Sequence, residues 1–161
     1  MTERTLDLGA LQGLLDKARG LTVACVGDLM LDRYVYGEVS RISPEAPIPV
    51  LRARRQTAMP GAVGNVARNV AALGGRARLG GAAGRDAAGD ELAALIDADP
   101  AIDSYVSRSA PLTTVKTRFV AAGQQLLRLD DEEGGAGQAL DAAVFEGASA
   151  ILLSDYAKGV V

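Results

Sequence analysis

Two cationic side chains, Lys116 and Arg118, stand two residues apart in an extended segment of the chain. Side chains of a strand return to the same face every second residue, so this spacing predicts that both cations share one face. Such a pair can hold a phosphate group, and arginine can do so with two hydrogen bonds at once. Arg128, in the next extended segment, is a further candidate. The alternative for each residue is a solvated charge on a strand face.

Polar side chains also follow two apolar runs that are typical of buried strands. Asp28 comes after residues 21–26, and Asp155 and Lys158 come after residues 150–153. Open α/β sheets bind ligands at the carboxyl ends of their strands, so these residues are candidates for a binding site. The alternative is that the aspartates cap turns and that the lysine is solvated.

The composition restricts both the chemistry and the partners. The 161 residues include no histidine and one cysteine, Cys25, and their formal charge is -3. Any proton transfer must therefore use a carboxylate or a lysine, and Cys25, inside an apolar run, is interpreted as a core residue. The acidic balance and the scarcity of aromatic residues give no reason to expect a nucleic acid partner. A lone cysteine, with no signal peptide and no long apolar span, favours the cytoplasm and no membrane association.

The elements that must position these residues follow from hydrophobic periodicity. Apolar residues at helical spacing predict helices at residues 8–19, 66–73, 91–98 and 139–145. Short apolar or alternating runs predict strands at residues 21–26, 34–39, 48–54, 77–83, 104–107, 113–121, 125–129 and 150–153. Glycine-rich residues 134–137 are predicted to form a loop.

The order of these elements predicts an α/β domain that carries a second, smaller sheet. Residues 33–57 and 104–130 are predicted to form this small β-sheet lid together. We expect residues 1–161 to be the N-terminal part of one domain, because the sequence stops just after a core strand, where a doubly wound sheet normally continues. An exposed lid with free edges commonly seeks a partner, so a homodimer formed through the lid is expected.

Several motifs, in the same order along the chain, resemble the PfkB family of carbohydrate kinases. They are VGDLMLDRY at residues 26–34, PGAVGNVARNVAALG at 60–74, GRDAAG at 84–89, TTVKTR at 113–118, QQLLRLD at 124–130 and LLSDYAKGV at 152–160. Each motif is weak alone, but their joint occurrence is specific. The resemblance implies a ribokinase-like three-layer α/β sandwich, in its N-terminal portion, with a small β-sheet lid.

The resemblance also implies roles for individual residues. Asp32 is expected to contact sugar hydroxyls, because a carboxylate accepts two hydroxyl hydrogen bonds in a fixed geometry. Gly61 and Gly64 are expected to let the backbone approach the sugar, and Asn65, at a helix start, is expected to hydrogen-bond it. Without the resemblance, Asn65 is interpreted as an ordinary N-cap. Many relatives carry a second glycine where this chain has Ala62.

Residues 152–160 and the segment RISPEAPIPV at 41–50 narrow the resemblance to kinases of heptose 7-phosphate. It implies phosphorylation of the anomeric hydroxyl of D-glycero-D-manno-heptose 7-phosphate with ATP and Mg²⁺, a step toward the ADP-heptose of lipopolysaccharide core. The catalytic aspartate of the family lies in a Gly-Ala-Gly-Asp motif, whereas residues 135–137 are followed here by Gln138. We therefore expect no catalytic residue in this chain, an ATP site mostly outside it, and sugar phosphate binding without turnover.

Two alternatives stay open. One is a different sugar or nucleoside kinase of the same fold, which substrate competition would separate. The other is a non-catalytic module that binds sugar phosphate or dimerises through the lid.

Overall fold

The computed structural model describes residues 7–133 and 139–161. Its helices are α1 (Leu8–Ala18), α2 (Val63–Ala72) and α3 (Ala87–Asp97), with a 3-10 helix at Ala142–Phe145. Its strands are β1 (Thr22–Gly27), β2 (Leu29–Ile42), β3 (Pro49–Ala62), β4 (Arg76–Ala82), β5 (Ile102–Ser107), β6 (Val115–Ala121), β7 (Gln124–Asp131) and β8 (Ala150–Ser154). No helix within these ranges is long and apolar enough to cross a membrane.

The main sheet has the order β5-β4-β1-β8, and all of its strand pairs are parallel. Parallel strands are usually covered on both faces and read as continuous apolar runs, as β1 does. Cys25 of β1 and Leu79 of β4 pack with Leu92 and Ile96 of α3, and all of these side chains are buried. The apolar face of α3 thus packs against the main sheet and holds in place the strands that lead to the polar residues at its carboxyl edge.

The second sheet has the order β3-β2-β6-β7 and is called the lid sheet below. β2 pairs antiparallel with β3 and parallel with β6. β6 and β7 form a hairpin whose two turn residues, Ala122 and Gly123, have φ of 50° and 78°. Positive φ at both turn positions is the conformation that matches the twist of paired strands.

The chain passes between the two sheets at Asp28 and at Ala62. Only Asp28 separates β1 from β2, and α2 begins directly after β3 ends. Leu31 of β2 and Val115 of β6 belong to the same buried core as β1 and β4. The base of the lid sheet is therefore anchored in the main core, while its far end extends away from it.

The structure corrects several predicted elements. The strand at residues 104–107 is not part of the lid, because β5 pairs in parallel with β4 at the edge of the main sheet. The lid strands are longer than predicted, since β2 begins at Leu29 and β3 continues to Ala62. The predicted helix at 139–145 is reduced to the 3-10 helix. The loop predicted at residues 134–137 lies outside the described residues.

Candidate functional site

An open cavity of about 360 Å³ lies at the base of the lid sheet. It is lined by Met30, Asp32, Ala62, Lys116, Arg118, Arg128, Tyr156 and Lys158. The structure thus brings together Asp32, the cations of β6 and β7, and Lys158, all of which the sequence singled out. Cationic side chains outnumber carboxylates in this lining, so the cavity is suited to an anionic ligand.

Strand register places these charged side chains in two rows across the lid sheet. Asp32 of β2 lies opposite Lys116 of β6, which lies opposite Asp130 of β7. In the next row on the same face, Arg118 lies opposite Arg128. Like charges directly opposite each other are destabilising. We therefore expect a carboxylate beside each arginine, because its negative charge offsets the repulsion between them.

Asp32 is that carboxylate for Arg118. Arg118 Nη1 donates a hydrogen bond to Asp32 Oδ1 at 2.5 Å, and both side chains are largely buried. The guanidinium also lies 5.2 Å from the centre of the Tyr34 ring, within the range of a cation–π contact. Burial lowers the pKa of Arg118, but the hydrogen bond to Asp32 and the attraction of the nearby acidic groups together raise it above its ordinary value, so Arg118 stays protonated. Arg118 therefore orients the carboxylate that faces the cavity.

Gly61 makes room for Asp32. A Cβ at Gly61 would lie 2.3 Å from Asp32 Oδ2 and 2.9 Å from Met30 Cγ, closer than real contacts allow. Any larger side chain would displace Asp32 from its place beside Arg118. In the structure, Gly61 thus makes room for a neighbouring side chain. The close approach of its backbone to the sugar, which the family resemblance implies, stays a prediction.

Two carboxylates hold the ammonium groups of the cavity. Lys116 Nζ donates to Asp130 Oδ2 at 2.8 Å and to Glu132 Oε2 at 3.3 Å. Lys158 Nζ donates to Glu132 Oε1 at 2.8 Å. Burial lowers the pKa of Lys116, but these hydrogen bonds raise it above its ordinary value. The hydrogen bond from Lys158 lowers the pKa of Glu132, so this carboxylate is ionised at neutral pH.

Arg128 is held in a bidentate contact on its own strand. Its Nε and Nη2 donate to the two carboxylate oxygens of Asp130, at 2.8 and 3.0 Å. Asp130 therefore accepts hydrogen bonds from both Lys116 and Arg128, and these lower its pKa, that from Lys116 most. Asp130 and Glu132 were not predicted as site residues, because the sequence shows only an acidic stretch at the end of a strand.

The donor set of this cavity does not suit Mg²⁺. Magnesium prefers oxygen ligands, usually carboxylates, and here the lining carboxylate is already engaged by a guanidinium. Within residues 7–133 and 139–161, no group of three or more histidine, cysteine, aspartate or glutamate side chains is arranged to hold a metal ion. No metal-dependent step is therefore assigned to these residues.

Comparison with known proteins decides the family. Residues 21–153 match the family model described as pfkB family carbohydrate kinase. The chain belongs to this family. The matched region contains α2, α3 and the strands of both sheets, apart from Ser154 at the end of β8. The family assignment therefore covers the cavity apart from Tyr156 and Lys158.

Similar proteins include several that are named bifunctional protein HldE. The one from Hyphomonas neptunium is 49% identical over 160 residues, which are 94% of this chain and 33% of that protein. The one from Caulobacter sp. strain K31 is 53% identical over 148 residues, 88% of this chain and 30% of that protein. The chain thus spans about a third of the length of the curated relatives it matches.

Solved structures confirm the predicted ribokinase-like α/β fold of this pfkB family member. A microbiome-derived acarbose kinase, Mak1, has a TM-score of 0.62 and 20% identity, covering 84% of this chain and 45% of that one. Phosphofructokinase-2 from Escherichia coli, in complex with fructose-6-phosphate, has a TM-score of 0.51 and 24% identity, covering 84% and 45%. At these identities the likeness shows the fold alone.

The structure does not bring every predicted residue to the cavity. Asn65 lies on the exposed face of α2 and lines a separate hollow with Arg68 and Asp99. It is not the N-cap, because α2 begins at Val63. Gly64 is buried, and a Cβ there would lie 2.6 Å from Pro60 Cβ, so its role in the structure is close packing.

Asp155 is also outside the cavity lining. Its side chain is exposed, and Oδ1 accepts a hydrogen bond from the backbone N–H of Ala157 at 2.7 Å. The residue after it, Tyr156, does line the cavity. Sequence reasoning passed over Tyr156 and Met30 because neither side chain carries a charge, and no sequence signal indicates which loop residues turn toward the lid sheet.

Proposed function

We propose that this chain is the sugar-phosphate-binding part of a kinase that transfers a phosphoryl group from ATP to O1 of D-glycero-D-manno-heptose 7-phosphate. The proposal rests on one observation, the cavity in which Asp32 lies among Lys116, Arg118, Arg128 and Lys158. A ligand with both hydroxyl groups and a phosphate matches this combination of a carboxylate and several cations. The family resemblance of residues 41–50 and 152–160 supports heptose 7-phosphate as that ligand.

The residues divide into two roles in this proposal. Asp32, oriented by Arg118, accepts hydrogen bonds from sugar hydroxyls. Lys116, Arg128 and Lys158 neutralise the phosphate, which displaces part of their pairing with Asp130 and Glu132. ATP and Mg²⁺ supply the transferred group and its charge neutralisation. Their site and the catalytic base are proposed to lie in the part of the longer relatives that this chain does not match.

The first experiment is calorimetric titration of the chain with heptose 7-phosphate, with the same sugar lacking phosphate, and with inorganic phosphate. We expect the sugar phosphate to bind most tightly, because it satisfies both the carboxylate and the cations. Competing sugar phosphates and nucleosides separate this proposal from other kinases of the same fold. With ATP and Mg²⁺ added, we expect no product. Failure of every sugar phosphate to bind would contradict the proposal.

A matched pair of variants assigns any binding to this cavity. Asp32→Asn is expected to weaken binding about 10- to 100-fold, the usual range for a hydrogen bond to a charged group. Asp131→Asn makes the same change at an exposed carboxylate near the end of β7, outside the cavity lining. Equal affinities of the two variants would show that the ligand binds elsewhere.

We also propose that the lid sheet pairs with a second copy of the chain. One face of it carries an apolar groove lined by Ile48, Pro49, Leu51, Phe119, Leu126 and Leu127. Exposed fractions of 56% for Ile48 and 60% for Leu127 leave large apolar surfaces in water, and such patches commonly mark protein interfaces. The proposal extends the sequence-based expectation of a homodimer.

Light scattering after size-exclusion chromatography tests the pairing. We expect a dimer for the chain and a monomer for Leu127→Asp, because the substitution places a charge in the apolar groove. Leu73→Asp is the control, since Leu73 is 55% exposed but follows α2, away from the lid groove. A monomeric wild-type chain at micromolar concentration would contradict this proposal.

A further inference from the structure

The side chain of Asp28 is completely buried where the chain passes from β1 to β2. Its Oδ2 accepts hydrogen bonds from the backbone N–H groups of Tyr156, at 2.6 Å, and Lys158, at 3.1 Å. Its Oδ1 accepts one from the N–H of Val160 at 3.3 Å. Burial of a carboxylate is costly unless it is hydrogen-bonded, so these backbone donors account for its position.

The loop after β8 is shaped around this carboxylate. Ala157 and Gly159 have φ of 57° and 95°, in the left-handed region, and they alternate with the residues whose N–H groups reach Asp28. Backbone N–H groups that converge in this way form concavities that bind anions in many proteins. Here the anion is a side chain of the protein itself, at a distance of more than a hundred residues along the chain.

The main chain of Asp28 fixes two further elements. Its N–H donates to the carbonyl of Ser154 at 3.1 Å, and its carbonyl accepts from the N–H of Val63, the first residue of α2, at 3.0 Å. A Cβ at Gly27 would lie 2.0 Å from the carbonyl oxygen of Ser154, so only glycine allows this approach of β8. Asp28 therefore connects the end of β1, the end of β8 and the start of α2.

The loop that Asp28 holds delivers two side chains to the cavity, Tyr156 and Lys158. The ammonium of Lys158 is held in turn by Glu132, but its backbone position depends on the contact with Asp28. We propose that Asp28 is a positioning residue of the binding site. It acts on the ligand through Tyr156 and Lys158, and this part of the inference rests on the proposed function.

Hydrogen exchange of backbone amides tests the positioning without any ligand. In the wild-type chain, the amides of Tyr156, Lys158 and Val160 are expected to exchange far more slowly than unprotected amides. In Asp28→Asn, whose amide group places N–H donors against these N–H groups, their protection is expected to fall by about tenfold or more, while protection in β1 and β4 is kept.

Calorimetry with heptose 7-phosphate tests the consequence for binding. Asp28→Asn is expected to weaken binding about tenfold, because the backbone that carries Tyr156 and Lys158 is no longer held beside the cavity. Asp86→Asn is the matched control. The Asp86 carboxylate also accepts backbone N–H groups, from Gly89 at 2.7 Å and Thr113 at 2.8 Å, but in a turn outside the cavity lining. We expect this variant to bind as the wild type does.

Three results would overturn the inference: fast exchange of the three amides in the wild-type chain, unchanged protection in Asp28→Asn, or an equal loss of protection throughout the main sheet. The first of these needs no variant, so the test survives if Asp28→Asn does not fold. If the wild-type chain binds no sugar phosphate but the loop amides behave as expected, the proposed function fails and the positioning of the loop by Asp28 stands.

Discussion

At the scale of single residues, Glu132 is a carboxylate that bridges two cations of the cavity. Its two carboxylate oxygens accept hydrogen bonds from Lys116 and Lys158. A ligand phosphate must compete with this carboxylate for the same ammonium groups. We expect Glu132→Gln to bind inorganic phosphate about two- to fivefold more tightly, because a neutral amide competes less well.

Titration at low and high salt checks this prediction. The gain in affinity should shrink as ionic strength rises, since the competing groups are partly exposed. Glu146→Gln makes the same change of net charge at an exposed site next to the 3-10 helix. If both variants gain affinity equally, the effect comes from net charge and not from the release of Lys116 and Lys158.

Cys25 illustrates the opposite case, a reactive group made inert by its surroundings. Burial raises the pKa of its thiol from 9.0 to about 11. The folded state therefore favours the neutral thiol. This contribution to stability is fully present below about pH 9 and is lost as the pH rises toward 11. We expect Ellman's reagent to modify Cys25 at pH 8 only when the chain unfolds.

The reaction with Ellman's reagent is measured by absorbance, once in the native state without urea and once with the chain unfolded in urea. Ser109→Cys supplies an exposed thiol as the control, which should react at once in the native state. The folded Ser109→Cys variant carries two thiols, the introduced one and that of Cys25. If both react at similar rates, the burial of Cys25 is contradicted.

Spacing along a strand predicts which charged residues of the cavity lie on the same face. Lys116 and Arg118 share a face because they stand two residues apart on one strand. That this face meets Asp32 depends on the parallel pairing of β2 with β6, which joins segments more than eighty residues apart. Spacing within a strand carries no information about such pairing, so the partners of these cations could not be derived from it.

At the scale of elements, the junction of β3 and α2 carries backbone strain. Ala62 has φ of 48° and ψ of -123°, a combination that glycine adopts much more readily than alanine. The same residue lines the cavity. We expect Ala62→Gly to stabilise the chain by about 1 kcal/mol, because such a residue costs on the order of 1–3 kcal/mol.

Urea unfolding measures the effect. Ala72→Gly is the control at the end of α2, where glycine should instead destabilise the helix by about 0.5–1 kcal/mol. If both substitutions lower the free energy of unfolding, the turn at Ala62 does not store the strain that its φ indicates.

The elements themselves were largely predictable, and the exceptions have physical causes. Helices α2 and α3 follow from apolar residues at helical spacing, and β1 from its continuous apolar run. β5 was assigned to the lid because no helix separates it from β6, yet it closes the main sheet beside β4. Sequential neighbours usually pair, and here residues 108–114, between β5 and β6, take the chain from one sheet to the other.

At the scale of the whole molecule, the lid sheet is joined to the main body by an ion pair as well as by the shared core. Arg33 Nη2 of β2 donates to Glu91 Oε2 of α3. A second ion pair, from Arg54 to Glu38 at 2.9 Å, lies entirely within the lid, between β3 and β2. The ion pair between Arg33 and Glu91 constrains the position of the lid sheet relative to α3. The ion pair between Arg54 and Glu38 does not, because both residues belong to the lid sheet.

This difference gives a matched test of whether lid position controls binding. Glu91→Gln is expected to weaken heptose 7-phosphate binding only two- to threefold, because a partly exposed ion pair contributes little free energy. Neither Arg33 nor Glu91 lines the cavity, so any effect must pass through the lid. Glu38→Gln should leave the affinity unchanged, and high salt should make Glu91→Gln and the wild type alike. If both variants bind as tightly as the wild type, the shared core around Leu31 and Val115 sets the position of the lid by itself. Equal losses in both variants would mean that the effect comes from net charge and not from the contact between Arg33 and Glu91.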